Sequence, residues 1–262
     1  MTDEAFYVPV GDDEFEATRA TESPWDRSQQ HGGPPSALLA RAMERTGDDD
    51  AMAISRITVD LLGPVPRGPV RTTVEVVRPG RRVEMLRAEL WAGDRVAASA
   101  TAWRIRRTSG STAPLARAEP VPARPEVAST SFAPGFPDDW GYGHAVEWRY
   151  VSGGPDAPGP AVVWTRVRVP LVAGETISPL QRLLVVVADS TNGLSGGLPI
   201  DEWWFIPPTL TVTLQGELAG EWMLLDARTT FGPDGLGLAE GRISDDHGLV
   251  GLAAQPLLVA RR

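Results

Sequence analysis

The chain has 262 residues, with 34 acidic and 25 basic side chains and a formal net charge of −9. That balance gives a nucleic-acid backbone nothing to grip, so nucleic acid is not an expected partner. With no cysteine and three histidines, disulfide and thiolate chemistry are excluded, and neither a metal centre nor a cofactor is expected.

The first residues, Met1–Ala5, carry neither a basic nor an apolar targeting segment, and no run reaches the ~20 apolar residues of a membrane span. No membrane span and a cytoplasmic location are therefore expected. Every basic residue is an arginine, which high-GC coding explains better than function does. Pro34–Arg45 opens with two prolines and continues rich in Ala and Leu, the pattern of one short helix with few charges. After Asp48-Asp49-Asp50 come four expected strands at about 54–62, 70–78, 83–91 and 95–106, divided by Gly63-Pro64, Pro79-Gly80 and Gly93-Asp94. The alternation over Val70–Val76 suits an antiparallel sheet with one wet face.

Residues 107–144 are dense in Pro, Ser, Ala and Gly and read as an extended linker that builds no core alone. Strands resume near Ala145–Tyr150 and Val162–Arg168. Ser178 then caps a second helix with Pro179 at its first position, running through Leu183–Ala188 to Asp189 and stopping at Asn192-Gly193. Further strands are expected at about 203–214, 221–230, 236–244 and 249–259.

The chain thus contains one pattern twice. Ile57-Thr58-Val59-Asp60-Leu61-Leu62-Gly63 recurs as Leu210-Thr211-Val212-Thr213-Leu214-Gln215-Gly216, and the register from Thr58/Thr211 to Val96/Val250 drifts by a single residue. Two copies at so long a period indicate a duplicated domain rather than a solenoid. Helices this apolar are expected to be buried by the antiparallel strands that follow them. The expected class is α+β: two antiparallel sheets each wrapped around a central helix, with domains at 1–106 and 145–262.

Several residues invite a chemical reading. A carboxylate at Asp189, partly desolvated at the end of an apolar helix, would have its pKa raised toward neutrality; the same residues also suit a plain helix stop. Gln255 lies in the apolar run Leu252–Val259, where a buried amide needs partners, although Pro256 also fits an edge strand with Gln255 facing water. His31-Gly32-Gly33 sits at a helix start, whose free N–H groups favour an oxygen bearing negative charge. Arg78, Arg81 and Arg82 flank a turn and could meet phosphates. Trp203-Trp204 read as packing.

A helix wrapped by an antiparallel sheet and duplicated in one chain, with His31-Gly32-Gly33 opening one helix and Ala188-Asp189-Ser190 in the other, resembles the double-hotdog acyl-CoA thioesterases of the thioesterase II type. The nearest likeness is to their actinobacterial thioesterase-like branch, over roughly 15–106 and 145–260. The resemblance is carried further by Trp203–Ile206, Gly220–Thr229, Gly235–Glu240 and Ala254-Gln255. It implies hydrolysis of an acyl-CoA or acyl-carrier-protein thioester, with water held by Asp189, Gln255 and a third polar side chain. That third position falls on Pro207; Thr209 or Thr211 would restore a hydroxyl by a local shift. His31, Gly32, Gly33, Arg81 and Arg82 are the implied substrate contacts, and pairing into a homo-oligomer is left open. Two alternatives stand beside this. One is a non-catalytic acyl or hydrophobic-ligand binder, prompted by Pro207; the other is an enoyl thioester hydratase, prompted by the spacing of Asp26 and His31.

Overall fold

The computed structural model describes residues 5–47, 51–108, 110, 119–132 and 135–262. Among the described residues there are three α-helices: α1 (Gly33–Glu44), the short α2 (Gly141–Ala145) and α3 (Pro179–Ser195). The strands of the first part are β1 (Tyr7–Pro9), β2 (Glu14–Ala17), β3 (Met52–Leu61), β4 (Pro69–Arg78), β5 (Val83–Ala92) and β6 (Arg95–Arg106). Those of the second are β7 (Val146–Gly154), β8 (Ala157–Val167), β9 (Trp203–Ile206), β10 (Thr209–Leu214), β11 (Trp222–Phe231), β12 (Leu236–Asp245) and β13 (Gly248–Arg261).

Two separate sheets were expected; the strands instead join in one 13-stranded antiparallel sheet, ordered β1-β2-β4-β5-β6-β3-β10-β13-β12-β11-β8-β7 with β9 paired to β13. The union is made by β3 and β10, the two copies of the repeated heptad. Thr58 lies opposite Thr211, Ile57 opposite Val212 and Val59 opposite Leu210. Their hydroxyls meet at 3.0 Å. The equivalent threonines thus face one another at the centre of the sheet, and the order of strands on one side mirrors that on the other.

Helix α1 packs on β4, β5 and β6, α3 packs on β8, β11 and β12, and the two helices contact each other. Ser178 caps α3: its hydroxyl accepts from Gln181 N at 3.1 Å, and its own N–H donates to Gln181 Oε1 at 3.3 Å. The helix continues past the expected stop at Asn192-Gly193 to Ser195. Gly193 tolerates the helical conformation, and tertiary packing overrides its weak propensity. The helices approach closely at Gly33, where an added Cβ would stand 1.9 Å from the Val185 carbonyl oxygen. Only glycine fits there.

The expected strand 203–214 is interrupted at Pro207-Pro208, and its halves β9 and β10 both pair with β13. Strand β13 is therefore interior, not an edge, and Pro256 is accommodated because it falls between the stretches paired to β10 and to β9. Residues 119–144 do more than span the halves. Trp140 is buried and donates to Glu22 O at 2.6 Å, Trp164 donates to Pro122 O at 3.1 Å, and Ser129 N donates to Trp148 O at 2.7 Å. Strand β1 also crosses the molecule, with Tyr7 N donating to Leu171 O at 2.9 Å. Arg41, buried on α1, makes a two-pronged ion pair with Glu175 at 2.7 and 2.6 Å. Among the described residues no helix is long and apolar enough to cross a membrane.

Two glycines on the paired helices should respond oppositely to alanine. Gly33→Ala forces a clash with backbone and is expected to cost about 3 kcal/mol. Gly193, with nothing within 4 Å of an added Cβ, should gain roughly 0.5–1 kcal/mol as alanine. Urea unfolding midpoints of the two variants check both.

Candidate active site

Because α1 and α3 run antiparallel, the start of α1 lies beside the second half of α3. Gly32 N donates to Asp189 Oδ2 at 2.9 Å across this junction. The Asp189 side chain is 14% exposed, and burial pushes its carboxyl up to about 7, with the Gly32 hydrogen bond pulling the other way. A carboxylate in that range is half-ionised at neutral pH, the condition in which a general base works best.

His31 packs against it, with Nε2 3.6 Å from Asp189 Oδ2. Its Nδ1 accepts from Gly33 N at 3.2 Å, which assigns the proton to Nε2. Burial drives the His31 pKa down to about 3, so the ring is neutral and donates through Nε2. The N–H groups of Gly32 and Gly33, expected to receive a substrate oxygen, are thus already bonded to Asp189 and His31. Pro34 and Pro35, which follow them, have no N–H to give.

Gln255 is fully buried on β13 and donates from Nε2 to Ala188 O at 2.7 Å, one residue before Asp189. Among the described residues its Oε1 has no partner. Thr209, expected as the third polar group, instead donates its hydroxyl to Val59 O at 2.9 Å, and Thr211 is held by Thr58. Pro207 is buried and offers no polar side chain. Arg81 and Arg82 are exposed on the β4–β5 turn. Arg106 Nε donates to the Arg81 carbonyl at 2.7 Å, and no described contact joins either arginine to the Asp189 cluster. Asp26 is also exposed and accepts from Ser28 N and Oγ at 2.8 and 2.7 Å. It forms no pair with buried His31, which removes the geometric basis for a hydratase dyad.

The structure adds residues the sequence did not single out. Tyr142, inside the segment read as linker, stacks on His31 with centroids 3.7 Å apart. Its hydroxyl donates to Val185 O at 2.9 Å and bonds Ser190 Oγ at 2.8 Å. Asn192, one helical turn after Asp189, is buried and donates from Nδ2 to Phe205 O at 3.0 Å. Its Oδ1 is buried without a partner among the described residues. The turn-forming character of Asn192-Gly193 hid this; the three-residue spacing from Asp189 on one helix was the available signal. Asp189, Ser190, Asn192 and His31 share the wall of a cavity of about 70 Å³ that also receives Trp25, Trp140 and Phe205.

The opposite end of the helix pair differs. Glu44 follows Pro34 at the spacing at which Asp189 follows Pro179. Its carboxylate accepts from Ser178 Oγ at 2.8 and 2.9 Å and from Gln181 Nε2 at 2.7 Å. There the acid is locked into a helix cap by side chains. At the Asp189 end one backbone N–H and a neutral imidazole leave carboxylate capacity free.

Two family models match this chain: the acyl-CoA thioesterase N-terminal domain over residues 21–105, and the acyl-CoA thioesterase C-terminal domain over residues 116–259. The chain belongs to the acyl-CoA thioesterase family, whose members are thioester hydrolases. No curated protein matches it. Among solved structures it is similar to a provisionally assigned thioesterase from Novosphingobium aromaticivorans, with 20% identity, 97% of this chain and 98% of that one covered, and a TM-score of 0.74. A hotdog-fold protein of unknown function from Alicyclobacillus acidocaldarius matches at 17% identity over 99% and 97% of the chains, TM-score 0.73. The acyl-CoA thioesterase II TesB2 of Mycobacterium marinum matches at 17% identity over 98% and 95%, TM-score 0.66. At these identities the likeness establishes the fold.

The two buried titrations bear on stability with opposite signs. Asp189, raised from 3.8 to about 7, binds its proton more tightly when folded. Its contribution is complete below pH ~4 and is lost as pH rises through about 7. His31, lowered from 6.5 to about 3, contributes fully above pH ~6.5 and loses its share as pH falls. Asp189→Asn should therefore be more stable than wild type at pH 8, by roughly 2–4 kcal/mol, and equal to it near pH 4. Denaturant titrations at the two pH values check this.

Proposed function

We propose that the protein hydrolyses an acyl-CoA or acyl-carrier-protein thioester with an activated water, in the groove between two hotdog halves. Those halves correspond to 1–106 and 145–262, each built on its central helix. The observation that carries the reading is Asp189: a buried carboxylate near neutrality, anchored by Gly32 N–H across the helix pair.

In this mechanism water donates one proton toward Asp189 and the other to an amide oxygen, which leaves a lone pair aimed at the thioester carbon. Asn192 Oδ1 and Gln255 Oε1 are buried amide acceptors close to Asp189 that have no partner among the described residues. Asn192 lines the Asp189 cavity and replaces the polar group missing at Pro207; Gln255 fixes the backbone just before Asp189. As the water oxygen bonds to the carbonyl carbon, its proton passes to Asp189, and the carbonyl oxygen takes negative charge. His31 Nε2–H, neutral and unable to remove a proton, donates to that oxygen. Collapse breaks the carbon–sulfur bond, and Asp189 returns its proton to the departing thiolate, giving a carboxylic acid and a free thiol. Gly32 and Gly33 contribute indirectly, by holding Asp189 and His31.

Release of free thiol from a panel of acyl-CoAs tests the reading. Asp189→Ala should lower kcat by about 10²–10⁴, whereas Asn192→Ala should lower it about tenfold with KM little changed, equivalent to roughly 1.4 kcal/mol. Full turnover in Asp189→Ala contradicts the mechanism, and a binder that never releases thiol contradicts the activity.

A further inference from the structure

We infer that the acyl group this site accepts is aromatic, a benzoyl- or phenylacetyl-type thioester rather than a long linear chain. The inference rests on the hydrolase reading above and on the walls of the Asp189 cavity. Beyond the polar cluster of His31, Asp189, Ser190 and Asn192, those walls are mostly aromatic rings, among them Trp25, Phe132, Phe136, Trp140, Trp148 and Phe205, interspersed with small residues, prolines and Ser131. Leu194 is the lone branched aliphatic side chain among the described lining residues.

The rings hold one another. Trp25 meets Phe205 at 5.0 Å, Phe136 meets Trp140 at 5.1 Å, and Phe132 meets Trp140 at 5.5 Å. The indole N–H of Trp140 is spent on Glu22 O and that of Trp148 on Gly143 O at 3.1 Å. What the tryptophans present is therefore apolar ring surface. Aromatic side chains have few rotors, so this wall cannot remodel around a flexible chain as methionine or leucine surfaces can.

The two sides of a thioester place opposite demands on such a space. The thiol arm of coenzyme A carries amides that would forfeit hydrogen bonds against ring faces. The acyl side carries none. A long alkyl chain would surrender its rotor freedom to lie against walls this rigid. A planar ring meets such walls by offset and edge-to-face contact, each worth a few-fold to about tenfold in affinity. Asp189 and Asn192 line the same cavity as the rings, so a ring held there keeps its acyl carbon beside them.

The test compares benzoyl-, phenylacetyl-, butyryl-, octanoyl- and palmitoyl-CoA by kcat/KM. The arylacyl substrates should exceed octanoyl-CoA about tenfold, and Phe132→Leu with Phe136→Leu should reduce the phenylacetyl-to-butyryl ratio about fivefold. Higher kcat/KM for octanoyl- or palmitoyl-CoA overturns the aromatic assignment and leaves the hydrolase reading standing. Calorimetric binding of two stable thioethers, S-(2-oxo-2-phenylethyl)-CoA and S-(2-oxodecyl)-CoA, decides the matter independently of turnover. Tighter binding of the phenyl compound supports the inference even if no thioester is cleaved, an outcome that sinks only the hydrolase reading. Tighter binding of the decyl compound refutes it.

Discussion

The site depends on how closely α1 and α3 approach. At Gly33 there is no room for a side chain, because the Val185 carbonyl occupies the place of a Cβ. That contact sets the spacing of the two helices and brings Gly32 N–H to Asp189. The rest is consequence. A carboxylate pressed between two helices loses water, its pKa climbs, and the single backbone hydrogen bond keeps it from becoming merely a buried acid. His31, held by the next N–H along, is desolvated in the same place and stays a neutral donor.

The same two-fold arrangement explains why the two ends of the helix pair differ. Facing threonines at the centre of the sheet place equivalent segments around a common axis. Glu44 and Asp189 then stand at corresponding ends. Ser178 and Gln181 hold Glu44 with one bifurcated hydroxyl hydrogen bond and one amide hydrogen bond while also capping α3. The prolines that open α1 cannot do likewise for Asp189. The difference between the two helix starts, Gly-Gly-Pro-Pro against Ser-Pro, is what separates the two ends.

Much of the fold was legible because the repeat and the strand alternation are local signals. The heptads at Ile57 and Leu210, both helix starts and most strands stand where their residues predict. The union of the strands into one sheet was not legible, because pairing of β3 with β10 is a contact between distant segments that no local pattern encodes. The strand expected at 203–214 runs straight through Pro207-Pro208, where the structure breaks it into halves that β13 bridges. The site was half legible. Asp189 and Gln255 could be named from sequence and do lie on neighbouring elements, whereas Thr209 is occupied by Val59. Tyr142 and Trp140 were hidden because their Pro- and Gly-rich surroundings have the composition of a linker; what orders them is the aromatic cluster they join.

The pH dependence of kcat/KM for a cleaved acyl-CoA tests the central claim most directly, because it reads the ionisation of the free enzyme's base. If Asp189 is that base, activity rises with pH along a single limb centred near 7, and the limb disappears in the residual activity of Asp189→Asn. A limb near 4, as for an ordinary solvated carboxylate, or one that survives in Asp189→Asn, would contradict the account.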